Sequence, residues 1–338
     1  MLLLTLGLTC CTCSLQSHRT ARAATTPIST CNAGDIVHTV GPDVYSVEPH
    51  PGFDPLTASD TDLACYGYEL RPSDASALAS WQARVGHLRY VVPTLDPRKI
   101  PNAGLKQTYT QSIWAGYGTT SSENGGVQWI EADMNWTQPY VPATADGRYL
   151  YIWPGLGGSG TPVIWQAGTA IESGPNGPQL VSFWYENYGC QSNPTYGCPN
   201  NGNLQLVSGI SVHQGDQVHV RAKVSTGGTT GIAYFDNYTT GERTNTGVLG
   251  IDSYLTTTNA NFIAEEPLCT SGCNYLPFID PGINGATLYT TDTSYTQIDA
   301  YNYDKDVMNN YSYPSVIESN PGPINTSTHG FVVTCCQA

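Results

Sequence analysis

The sequence predicts an all-β protein, a two-sheet antiparallel β-sandwich preceded by a mixed N-terminal segment with one short helix. Three observations carry that prediction. From residue 111 onward the apolar residues come in short runs bounded by Gly, Pro, Asn and Ser clusters, with no sustained helical period. Those runs recur at a number and spacing that suit two stacked sheets. Residues 24–110 read differently, being Pro-rich at both ends with a single helical stretch.

Taken in order, Met1 to Leu15 is apolar and too short to span a bilayer, and Ala21-Arg22-Ala23 offers a small-residue cleavage site. Residues 1–23 therefore read as a secretory signal peptide. A lipid-anchor reading of Cys10, Cys11 or Cys13 is the rival, and the residues before those cysteines fit it poorly. Residues 24–110 form a prosegment or N-terminal extension, with a helix expected from Ser73 to His87, capped by Ser73 or Asp74. The sandwich occupies residues 111–338. Its expected strands are Ser112 to Thr119, Gly126 to Trp136, Tyr149 to Trp153, Val163 to Ile171, Val181 to Tyr188, Gln217 to Ser225, Gly231 to Asn237, Asn261 to Glu265, Thr287 to Thr290 and Gly330 to Thr334. Val218, Val220, Ala222 and Val224 alternate with Gln217, His219, Arg221 and Lys223, which predicts a sheet face wet on one side. His213 and His219 are expected at the surface.

The 338 residues carry 13 Lys and Arg against 27 Asp and Glu, a formal charge of -14. That balance argues against a nucleic-acid partner, which wants a basic stripe, and no membrane partner is expected. The charge is unevenly divided. Residues 1–110 hold 8 cationic and 9 acidic residues, while 111–338 hold 5 and 18. Arg84, Arg89, Arg98, Lys99 and Lys106 precede the acidic body, and are expected to hold the N-terminal segment across an acidic cleft.

Without the signal, eight of the 11 cysteines remain, an even number that suggests disulfides in a secreted, extracellular chain. Close spacing makes Cys190 with Cys198 and Cys269 with Cys273 the first pairings to expect; a zinc reading of the second pair has no nearby histidine to support it. Asn135, Asn237, Asn310 and Asn325 head N-x-S/T sequons. No metal-ligand spacing, nucleophile elbow or phosphate loop occurs, so neither a metal nor another cofactor is expected.

Two strand-like segments about a hundred residues apart each place one polar side chain among apolar neighbours: Pro162 to Gly168 with Gln166, and Asn259 to Glu265 with Glu265. An amide can polarise a carbonyl and a carboxylate can take a proton from water, so the two together can hydrolyse an amide bond. The chain resembles the glutamic peptidases, or eqolisins, over roughly Gln111 to Thr334. Ser112-Ile113-Trp114-Ala115-Gly116-Tyr117 is similar to the family's N-W-A-G-Y, and Tyr151 to Gly158 to its W-V-G-I-D-G. Phe183 to Tyr188 is similar to W-Y-E-W-Y, and Asn259 to Glu265 to N-A-E-W-I-V-E. Gly157 stands where the family usually has Asp, and Phe262 where it has Trp.

The resemblance implies a concanavalin-like sandwich and a secreted acid endopeptidase made as a zymogen, with polypeptide substrates and its own prosegment as partners. It implies Gln166 and Glu265 as the catalytic dyad, expected on neighbouring strands, with Trp153, Glu186 and Tyr188 lining or supporting the cleft. Two other readings compete. A glycoside hydrolase would pair Glu186 with Glu265 in an aromatic groove and have no need of Gln166. A non-catalytic extracellular binding protein would have no need of the dyad.

Overall fold

The structure, a computed structural model, describes residues 30–41, 44–102, 113–145, 147–158, 163–189, 203–226, 228–251, 255–266, 278, 281–290, 295–309 and 317–335. The expected signal peptide, Lys106, Asn310 and the expected Cys190–Cys198 and Cys269–Cys273 pairings lie outside these residues. Among the described residues no helix is long and apolar enough to cross a membrane.

The N-terminal part contains β1 (Ile36–Gly41), β2 (Val44–Glu48), α1 (Asp60–Cys65), α2 (Ala75–Val85), β3 (Arg89–Tyr90) and β4 (Thr94–Asp96). Helix α2 forms where expected. Its N-cap is Asp74, whose carboxylate accepts from the amides of Ser76 and Ala77. Trp81 and Val85, one turn apart, bury the same face against Leu63, Tyr66 and Tyr68. A disulfide joins Cys31 to Cys65.

The body continues with β5 (Trp114–Thr120), β6 (Trp129–Thr137), β7 (Arg148–Gly157), β8 (Ile164–Gly174), β9 (Gly177–Tyr188), β10 (Gln205–Ser208) and β11 (Gln217–Val224). After these come β12 (Thr230–Asn237), β13 (Glu242–Asn245), β14 (Leu249–Gly250), β15 (Asn259–Glu265), β16 (Gly282–Thr290) and β17 (Tyr295–Gln297). The last are β18 (Asp304–Asp306), β19 (Met308–Asn309), β20 (Ile317–Pro321) and β21 (Phe331–Cys335).

Two sheets form the all-β body. Among the described residues one has eight strands in the order β18-β5-β15-β7-β8-β9-β10-β4. The other has eleven, following β19-β20-β21-β16-β6-β11-β12-β13-β3, with β14 beside β12 and β17 beside β16. Alternate residues of each sheet meet in one core, where Ile152, Trp165, Ala167 and Phe183 of the first pack with Ala132, Met134, Val220 and Phe235 of the second. The Phe183 and Phe235 rings lie 5.2 Å apart across that interface. Phe262 points into the same core, so its replacement of the family's Trp is a packing change on the side away from Glu265.

The N-terminal segment is woven into both sheets. Strand β3 pairs in parallel with β13 at one edge, and β4 pairs with β10 at the edge of the other sheet. Its helical portion covers the outer face of the eleven-stranded sheet, and this overturns the wet face expected for β11. His219 and Arg221 are 0% and 1% exposed. The period of two is right, but the polar side faces another layer of the same chain instead of water. Asn237, in one of the sequons, is likewise fully buried, its amide donating to Ser211 O and Asp216 Oδ2 at 2.8 Å each.

The expected electrostatic latch takes another form. Arg84 pairs with Glu69 and Arg98 with Asp96, both inside the N-terminal segment, and Arg89 reaches Glu242 of the body at 3.1 Å.

Candidate active site

The first sheet has a second face, turned away from the sandwich core. Register puts Ile263 and Glu265 of β15 opposite Trp153 and Tyr151 of β7, Gly155 of β7 opposite Gln166 of β8, and Gln166 opposite Glu186 of β9. Because side chains alternate along a strand, all of these residues share that face. The sequence reading places Gln166 and Glu265 on neighbouring strands; instead β7 lies between them. Their positions are also staggered along β7, with Trp153 midway between the two.

Trp153 bridges the stagger. Its indole N–H donates to Glu265 Oε2 at 2.8 Å, and both residues are fully buried. The ring is held edge-on by Trp114 at 5.0 Å. Across the β7–β8 pairing its neighbour is Gly168, where a Cβ would come within 2.7 Å of Trp153 Cβ. A side chain there would displace the indole, so glycine makes room for it.

Gln166 has its own fixed partner. Its Nε2 donates to Glu186 Oε2 at 2.9 Å, with both side chains fully buried. Among the described residues Gln166 Oε1 has no hydrogen-bond partner. Buried polar groups are nearly always paired, and this acceptor is one of several buried side-chain atoms without a partner among the described residues. One Nε2 hydrogen meets the carboxylate of Glu186, and the second is available to another acceptor.

Around Glu265, Gln166 and Glu186 lies an aromatic wall of Trp114, Tyr151, Trp153 and Trp184, with Tyr149 and Tyr188 half-buried at its edge. Burial, together with the charges of Glu265 and Glu186, pushes the Tyr151 phenol well above its usual range. Tyr188 is raised by burial and by the same two carboxylates. Both phenols therefore stay neutral donors at any pH at which the carboxylates act. Tyr151 escapes a motif search aimed at charged residues, although its position two residues before Trp153 puts it on the same face.

The end of the N-terminal segment lies on this face. Ile100 packs against the aromatic wall, and the Tyr151 hydroxyl donates to Pro101 O at 2.6 Å. Asn102 Oδ1 accepts from Leu204 N at 3.2 Å, and Gln205 Nε2 donates to Asp96 O at 3.0 Å. Gly157 lies at one edge of the site with φ +89°, and its carbonyl accepts from Asn261 Nδ2 at 2.7 Å. A Cβ on Gly157 would meet Val163 O at 2.5 Å, so the family's Asp does not fit this turn as built.

Comparison with known proteins adds to this geometry. A family model described as the Peptidase A4 family matches residues 112–315. No curated protein matches the sequence. Among solved structures, that of scytalido-glutamic peptidase with a transition state analog inhibitor is similar at 19% identity and a TM-score of 0.51, covering 66% of this chain and 98% of that one. A structure of SCP-B, a member of the eqolisin family, with the tripeptide Ala-Ile-His is similar at 19% identity and a TM-score of 0.47, covering 67% of this chain and 98% of that one. The first likeness bears on the fold.

Proposed function

Because the chain belongs to the peptidase A4 family, the glutamic peptidases, and is a glutamic-type endopeptidase, we propose that Glu265 is its general base and Gln166 its oxyanion donor in a secreted acid enzyme. The observation that carries this reading is the pair of preset hydrogen bonds on one buried face, Trp153 to Glu265 and Gln166 to Glu186.

In this mechanism ionised Glu265, its Oε2 steadied by the indole N–H, takes a proton from a water as that water attacks the scissile carbonyl. The oxygen that gains charge accepts the second Nε2 hydrogen of Gln166, whose orientation Glu186 holds. Protonated Glu265 then gives its proton to the departing amine as the C–N bond breaks. An ordinary Glu titrates near pH about 4.3, so such a base works in mild acid, where a histidine base is already protonated. The aromatic wall supplies apolar surface for substrate side chains.

Glu186 serves this chemistry as a positioning residue, since its carboxylate meets Gln166. The strip from Ile100 to Asn102 acts as the chain's own inhibitor, because its backbone occupies the hydroxyl of Tyr151 beside Glu265.

The test is hydrolysis of casein, and separately of a xylan, at pH about 3 to 5, with and without pepstatin, a mimic of the transition state at an Asp pair. Casein loss that pepstatin leaves untouched, and that Glu265→Gln abolishes, is expected. Xylan loss without casein loss would refute the reading.

A further inference from the structure

The N-terminal segment makes two separable attachments. The short one, Ile100 to Asn102, lies on the candidate cleft. The long one covers the outer face of the eleven-stranded sheet, on the opposite side of the molecule, and ends in β4 at the edge of the eight-stranded sheet. We propose that residues 30–98 are a permanent second subunit of the active enzyme: a cut in the stretch 103–112 frees the strip over the cleft while this unit stays docked. The proposal rests on the reading of that strip as an inhibitor, and goes beyond it in saying what is kept after activation.

Beside the Arg89–Glu242 ion pair and the Asn135–Glu69 hydrogen bond, which involve carboxylates, the centre of the long attachment is built from groups that acid does not discharge. Arg221 Nη2 donates to Tyr68 O at 3.0 Å, and Arg243 Nη2 to Tyr66 O at 2.7 Å. The Arg243 guanidinium lies 3.3 Å from the centre of the Tyr68 ring. Lys223 Nζ donates to Ala64 O at 3.3 Å, and the Tyr234 hydroxyl to Cys65 O at 2.8 Å. Cations and a phenol of the body thus grip four backbone carbonyls around the end of α1. A carbonyl has no proton to gain in acid, and arginine has none to lose. Further along, the Asn245 side chain meets both polar backbone groups of Val47, at 3.0 and 2.7 Å. Gly67 lies flat on Tyr234, where a Cβ would come within 2.3 Å of the ring.

The cations are held from beneath by a buried ionic layer. Arg221 pairs with Asp133 at 2.9 Å and Glu131 at 3.2 Å, and Arg243 with Asp236 at 3.5 Å. His219 stands between Asp133 at 3.2 Å and Asp236 at 2.9 Å, stacked on the Tyr238 ring. Above Tyr238 lie Arg84 and its partner Glu69. Burial alone would lower the His219 pKa, but Asp133 and Asp236 outweigh it and push it up to about 9. For Asp133 burial acts upward, and His219 and Arg221 outweigh it, holding the group well below the usual carboxylate range. The His219 contribution is therefore complete below its unfolded value and lost only as pH rises through about 9. That of Asp133 is complete above its unfolded value of 3.8 and lost only as pH falls through the lowered value. Mild acid, which the chemistry of the cleft requires, leaves His219 and Asp133 of this layer charged.

The unit is also equipped to survive a cut as one piece. It carries the Cys31–Cys65 disulfide and a core of Leu63, Tyr66, Tyr68, Trp81 and Val85. The family match begins only at residue 112, so the unit is additional to it.

The experiment uses the full chain with a recognition sequence for a site-specific protease inserted after Gly104. After cutting, both pieces are followed by size exclusion and intact mass at neutral pH and at pH about 3.5. Co-elution in equal amounts at both values is expected. Separation at either would overturn the proposal. Casein hydrolysis is read on the same samples, so co-elution without a gain in activity would support the docked subunit while refuting the inhibitory strip. Lys223→Met with Tyr234→Phe removes two of the four donors with little change of shape. Retention should weaken about tenfold or more, and unchanged retention would overturn the assignment of these contacts.

Discussion

Replacing Trp153 with Phe removes one N–H and keeps most of the ring packed against Trp114, which isolates the bond to Glu265. A hydrogen bond to a charged group contributes about 1.5–3 kcal/mol. Because the indole favours the ionised carboxylate over the protonated one, its loss should move the acid limb of the kcat/KM profile to higher pH by about one to two pH units. Activity on that limb would then fall about 10- to 100-fold, while activity above both limbs recovers most of its wild-type value. The assay is hydrolysis of a quenched fluorescent peptide across the acid range, with circular dichroism to confirm folding. An acid limb that stays in place while activity drops equally at every pH would show that Trp153 only fills space, and would refute its role in keeping Glu265 ionised.

Glu265→Gln should abolish proteolysis with the fold intact, since the amide cannot accept the proton of water; residual activity of more than a few per cent would count against it as the base. Gln166→Ala should cost on the order of 100-fold in kcat and Glu186→Gln clearly less, because a neutral amide can still anchor Gln166. An inactive Glu186→Gln beside a silent Gln166→Ala would favour the glycosidase reading. Thermal stability should decline as pH rises through about 9, the value to which Asp133 and Asp236 raise His219, and His219→Leu should destabilise by about 3–5 kcal/mol by removing the cation that two buried carboxylates share. Gly157→Asp should lower Tm, because φ +89° and the 2.5 Å approach to Val163 O both oppose a side chain there; an unchanged Tm would show that the turn relaxes freely.

Much of the candidate site is legible in the order of residues because strand periodicity is local. Once Gln166 and Glu265 are each placed on a strand, every second residue shares their face, and Trp153, Glu186 and Tyr188 follow from the aromatic segments around them. Lateral order is not local. That β7 lies between β8 and β15 depends on which edges the strands find after long connections, so the expectation of adjacent strands fails although both strands are correct. The same limit governs His219. Its alternation with Val218 and Val220 marks a polar face, but nothing within β11 says whether water or another layer meets that face.

By itself the sequence determines the all-β class, the helix capped by Asp74, and the two polar residues set among apolar strands, because alternation and capping depend on neighbours along the chain. Tertiary structure alone decides that Trp153 reaches Glu265, that Glu186 claims one hydrogen of Gln166, and that the N-terminal segment spans the outer face of one sheet and the cleft of the other. Those outcomes depend on lateral strand order and on buried charges meeting partners from β6, β12 and β13. Such partners are distant in sequence, and only the low-dielectric interior makes leaving them unpaired too costly to tolerate.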